Sequence, residues 1–162
     1  MPFRDKIEHE SVRTQWVDLK TVPGFRVQLR YVSREELDKA LIPASKAQRV
    51  ALGKKGDNVL AGNDAYTASL KKFFALNVVQ DWELPPEVLP SLLALPEDAY
   101  PTKAIPFDED DMLLIMEENT NVYNDVFDAA TDRAAFYQEL YEARAKNSSS
   151  GSSAPSKSKK TD

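Results

Sequence analysis

The chain has 162 residues, 42% of them hydrophobic, and a net charge of −5 at pH 7, which suits one core-bearing domain with extensions. It contains no cysteine and a single histidine, His9, so disulfides, thiolate metal sites and thiol nucleophiles are excluded and histidine-based catalysis has almost nothing to draw on. The first residues, MPFRDKIEHE, carry charge without an apolar stretch, and no run approaches the roughly 20 apolar residues of a membrane span. A cytoplasmic protein with no membrane partner is expected.

The modest net charge hides a segregation. Residues 1–96 hold 14 basic and 12 acidic residues, residues 97–142 hold 2 and 13, and residues 143–162 hold 5 and 1, giving +2, −11 and +4. Three parts with such different charge meet different partners or solvents.

In chain order, TQWVDL at 14–19 reads as a strand, and Val22, Pro23 and Gly24 supply a turn in which proline presets one dihedral and glycine accepts a positive φ. Phe25, Val27, Leu29 and Tyr31 then alternate with Arg26, Gln28 and Arg30, the period of a half-buried strand. A β-hairpin over 14–32 follows. Ser33 and Glu36 form a capping-box pattern that opens a helix at Arg34, and Pro43 is expected to end it near Ile42 because it lacks an N–H. Residues 44–52 can form a further helical turn.

Residues 53–58, GKKGDN, read as an exposed loop, since the Walker pattern of a phosphate loop is absent. Asn63 or Asp64 caps a helix expected to run to about Gln80, with Tyr66, Leu70, Phe73, Phe74 and Asn77 along one stripe. Core packing explains that stripe better than ligand stacking. Trp82 falls at the helix end. Six of the chain's ten prolines lie in 85–106, which limits this connector to a short helix over 87–95 and extended segments.

Asp108 is a good N-cap for a helix over 109–118, with Glu109, Asp110 and Asp111 in its first turn, where the helix dipole favours acids. The same acids lack the alternate spacing, glycine and twelfth-position glutamate of a calcium loop. Capping is therefore their expected role. Val122, Tyr123, Val126, Phe127 and Ala130 are helically spaced, and a Thr131-Asp132 cap opens a last helix with Phe136, Tyr137, Leu140 and Tyr141. After Asn147 the chain runs SSSGSSAPSKSKKTD, a composition that cannot build a core.

The expected fold class is α+β and mostly α-helical: an N-terminal β-hairpin packed on a helical body, with a disordered C-terminal tail. The expected organisation is a flexible N-terminus over 1–13, a β-hairpin plus helices over 14–84, a proline-rich connector over 85–106, acidic C-terminal helices over 107–146 and a disordered Ser/Lys tail over 147–162. No catalytic, cofactor or metal set can be assembled from these residues, so a non-enzyme is expected. Lys157, Lys159 and Lys160 are a weak nucleic-acid footprint without arginine or aromatic neighbours. The candidate partner-binding residues are Val122, Tyr123, Val126, Phe127, Phe136, Tyr137 and Leu140, apolar on a strongly acidic background; the competing assignment of this stripe is core.

FRVQLRYVSREEL at 25–37, VVQDW at 78–82, IPFDEDD at 105–111 and the final helix running into Lys146-Asn147 together resemble the tail assembly chaperones of long-tailed bacteriophages. The resemblance implies a non-catalytic chaperone that binds the tape measure protein, helps recruit major tail (tube) protein subunits in the host cytoplasm, and is absent from the mature virion. It also implies that a longer form of the protein can arise by a programmed −1 frameshift. The alternatives are a structural tail or head completion protein and an acidic inhibitor that mimics DNA.

Overall fold

A computed structural model describes residues 14–137. The flexible N-terminus expected over 1–13 and the tail expected over 147–162 lie outside the described residues. The fold is α+β and mostly helical. Strand β1 (Thr14–Asp18) and strand β2 (Arg26–Arg30) form the expected antiparallel hairpin, with Thr14 opposite Arg30 and Asp18 opposite Arg26. Gly24 sits at φ 90°, the left-handed region that a Cβ disfavours, and the Leu19 N–H donates to the Phe25 carbonyl across the turn at 2.9 Å.

The alternation in β2 sorts its faces. Val27 and Leu29 are fully buried, whereas Arg26, Gln28 and Arg30 lie on the outer face, where Arg26 bridges Asp18 at 3.0 Å and Glu83 at 3.3 Å. Trp16 stands opposite Gln28 and so shares that outer face, with the Arg26 guanidinium 5.6 Å from its ring centre.

The hairpin is not the whole sheet. Residues expected to end a helix at about Gln80 instead form a five-residue π turn, Phe74–Val78, and a third strand, β3 (Val79–Glu83), antiparallel to β2 in the order β1-β2-β3. Asp81 pairs with Gln28 but Val79 pairs with Leu29, so Gln80 is an extra residue in a bulge. That insertion lets Val79 and Trp82, three apart, face the core together. Trp82 meets Phe25 edge-on at 5.9 Å and Phe107 at 5.3 Å, and its Nε1–H donates to the Ile105 carbonyl at 2.9 Å.

Helix α1 (Arg34–Leu52) starts at the expected cap, with the Ser33 hydroxyl accepting from the Glu36 N–H at 3.2 Å. Only half of the capping box forms, because the Glu36 carboxylate turns to Arg30 at 2.6 Å. The helix also runs straight past the expected stop at Pro43. Pro43 is exposed, so the carbonyl that its ring displaces can turn to water, while Ala40 and Ala44, three residues before it and one after, are buried. Burial there outweighs the local penalty.

Helix α2 (Val59–Phe73) begins four residues ahead of the Asn63 expected to cap it, and its N-cap Asn58 makes no side-chain cap bond. Tertiary contact with α1 stands in for the cap: Gln48 Nε2 donates to Asn63 Oδ1 at 3.3 Å, and Gly62 lies against Leu52. A Cβ on Gly62 would sit 2.8 Å from Leu52 Cγ. Gly62→Ala gains up to about 1 kcal/mol of helix propensity, but overpacking costs about 1–3 kcal/mol. The variant is expected to lower stability by about 1 kcal/mol in urea unfolding, the crowding of α1 against α2 winning.

The connector carries a 3-10 turn (Pro86–Val88) and a four-residue helix α3 (Leu89–Leu92) whose Leu89 and Leu92 are buried. It is pinned rather than loose. Tyr100 Oη accepts from the Leu95 N–H at 2.9 Å and donates to the Leu93 carbonyl at 2.8 Å, and Asn119 Nδ2 donates to the Leu92 carbonyl at 2.6 Å.

Helix α4 (Glu109–Glu118) carries the expected cap, with Asp108 Oδ1 accepting from the N–H groups of Asp110 and Asp111 at 2.9 and 3.0 Å. Helix α5 (Thr120–Thr131) follows almost without a break, and its Ala130 carbonyl accepts from the Val32 N–H at 3.0 Å. Asp132 then caps a turn over 133–137 through the Ala135 N–H at 3.2 Å. One core cluster takes in residues from the sheet, α1, α2, the π turn, the connector, α4 and α5.

Candidate functional site

The seven side chains expected to face a partner are mostly turned inward. Val122 and Val126 are fully buried, Tyr123 and Phe136 are 8% and 4% exposed, and Phe127 and Tyr137 are half-buried. Leu140 lies outside the described residues. The amphipathic pattern of α5 matches its burial, but what it faces is Phe74, whose ring meets Tyr123 at 6.0 Å and Phe127 at 5.3 Å. Phe136 and Tyr137 close on Tyr31 at 5.3 and 6.2 Å. Direct partner contact through Val122, Val126 or Phe136 would require the core to open.

Burial has an electrostatic consequence at Tyr123. Desolvation of its hydroxyl, helped by the neighbouring Tyr66, pushes its pKa up from 10.0 to about 12. The unfolded chain ionises first as pH rises, so the stabilising difference is complete below pH 10 and is lost between pH 10 and about 12. Urea midpoints across this window are expected to fall less for Tyr123→Phe than for the natural chain.

What the acidic segment does expose is the opposite face of α5. Asp125 and Asp128 on the helix and Asp132 just past its end fall at i, i+3 and i+7, along one side, and that row borders a cleft of about 430 Å³ shared with β1. The cleft wall on the strand side is consecutive, Gln15 through Asp18, with Lys20 beyond. Successive strand residues point to opposite faces, so a cleft lined by all of them runs along the strand's edge. The sheet order makes β1 an outer strand, bonded only to β2 among the described residues.

The four carboxylates of the cleft are not equivalent. Asp125 Oδ2 accepts from the Thr21 N–H at 3.0 Å and from the Thr21 hydroxyl at 2.6 Å, which fastens the β1–β2 turn to α5. Asp18 is paired with Arg26, and Asp132 caps the following turn. The Asp128 carboxylate has no hydrogen bond or ion pair among the described residues, and the residue is exposed. Lys20 is the one cationic side chain among the lining residues. The cleft thus joins a strand edge that no other described strand covers to surplus negative charge.

The α5 acids were readable in the sequence, since their spacing alone puts them on one face. The edge position of β1 was not. Among the described residues no group of three or more His, Cys, Asp or Glu is disposed to hold a metal ion, and no helix is long and apolar enough to cross a membrane. No protein family, curated protein or solved structure matches the chain.

Proposed function

We propose that the protein is a non-catalytic assembly chaperone of the long-tailed phage type, which binds the tape measure protein in the host cytoplasm and helps recruit tail tube subunits. The observation that carries this reading is the concentration of charge, 2 basic against 13 acidic residues over 97–142, part of it aligned along a cleft. The short motifs at 25–37, 78–82 and 105–111 add the family resemblance. Negative charge steers basic stretches of a client to the cleft. The half-buried Phe127 and Tyr137, rather than the fully buried Val122 and Val126, are then the apolar side chains open to contact.

Co-purification with the tape measure protein tests the reading. The natural chain is expected to retain the client, and a variant carrying Asp110→Lys, Glu117→Lys and Asp128→Lys, all on exposed positions, is expected to lose it while staying folded. Retention of the client by that variant would overturn the electrostatic basis. Mass spectra of purified particles separate this reading from a structural completion protein, which would be present in them. An overlapping −1 reading frame behind a slippery heptamer in the gene is the genetic mark of the longer partner form.

A further inference from the structure

We infer that the cleft between β1 and α5 binds an extended segment of a partner protein, added as a new strand to the open edge of β1 and carrying Lys or Arg at alternate positions. The inference deepens the chaperone reading and rests on it only for the identity of the client. Three observations converge on it.

The first is the edge itself. Among the described residues β1 is an outer strand paired only with β2, and its residues line the cleft; an outer strand presents backbone N–H and C=O groups that an extended chain can pair with. The second is the charge. Four carboxylates stand against Lys20 in the cleft, and that of Asp128 has no partner among the described residues.

The third is spacing. Asp128 and Asp132 are four residues apart along the helical path, about 6 Å at 1.5 Å per residue. Side chains two apart on a strand, which share one face, are separated by about 6.8 Å. A basic residue at every second position of an added strand matches the separation of Asp128 and Asp132. The intervening side chains point the other way, towards Trp16 and Asp18 on the outer face. A helical ligand would satisfy the carboxylates but leave the strand edge unpaired, so an extended one fits better.

The test uses the purified full chain and a short synthetic peptide in which lysine alternates with valine and threonine. Saturable binding is expected, with NMR amide shifts confined to β1 and α5. A peptide of the same charge interrupted by proline is expected not to bind, because proline cannot donate to a strand edge. Asp128→Lys, at an exposed position outside the core, is expected to keep the natural circular dichroism spectrum and weaken the lysine peptide by about tenfold.

Equal binding of the proline peptide would reduce the site to loose charge attraction and overturn strand addition. So would unchanged affinity in Asp128→Lys, shifts outside β1 and α5, or no binding of the lysine peptide at all. Binding that emerges only after Lys157→Ser, Lys159→Ser and Lys160→Ser would show that the chain's own Lys-Ser-Lys-Lys stretch is the occupant and would overturn the assignment to a partner. Peptide binding without tape measure co-purification would sink the chaperone reading and leave this site standing.

Discussion

Val126→Asp is expected to unfold the protein rather than merely blunt its binding. Val126 is fully buried on the apolar side of α5, within the cluster that joins the sheet to α4 and α5. A carboxylate there must either stay charged in a nonpolar setting or take up a proton, and neither form finds the hydrogen bonds it had in water. The expected loss exceeds about 4 kcal/mol, a large part of the roughly 5–15 kcal/mol that holds a domain together. Circular dichroism on heating is expected to show a lost or strongly lowered transition. A folded Val126→Asp chain that fails only to hold a client would mean that this face of α5 is a partner surface after all. The exposed Asp128 on the other side of the same helix is the contrasting case: its replacement is expected to alter partner affinity with little change in stability.

Phe74→Ala is the second large effect. Phe74 is fully buried at the first residue of the π turn, and its ring lies 5.3 Å from Phe73, 6.0 Å from Tyr123 and 5.3 Å from Phe127. It is the residue through which the chain leaving α2 grips α5. Removing a buried phenyl ring costs about 3–5 kcal/mol, set by how far the surroundings collapse into the cavity. Edge-to-face aromatic pairing supplies part of that figure. The urea midpoint is expected to drop accordingly, and Phe73→Ala, at a half-buried neighbour, is expected to cost clearly less. Equal losses would show that the cluster does not centre on Phe74.

Local signals were the legible ones. Ser33 and Asp108 announced their helices because a cap is decided by a few neighbouring backbone N–H groups, and both caps form. The β1–β2 hairpin was legible because Val22, Pro23 and Gly24 set a turn between two alternating segments. β3 was hidden for a specific reason. Its buried residues Val79 and Trp82 are three apart because of the bulge at Gln80, and a spacing of three continues the helical rhythm of Tyr66, Leu70 and Phe73. Pro43 misled in the opposite sense. A rule about one lost N–H was correct locally, yet the buried Ala40 and Ala44 keep the helix intact beneath an exposed proline ring.

The sequence by itself determined the charge segregation, the caps, the first two strands and the apolar stripe of α5, all of which follow from residues near one another in the chain. Tertiary structure decided which way that stripe faces, because apolar spacing marks a face that leaves water without saying what it leaves water for; Phe74, more than forty residues upstream, answers that. It also decided that β1 is an edge strand, since β3 joins β2 on the far side. The candidate site belongs to this second kind: an edge and a row of carboxylates, separated by about a hundred residues of sequence, become one cleft only when the Thr21 turn is fastened to Asp125.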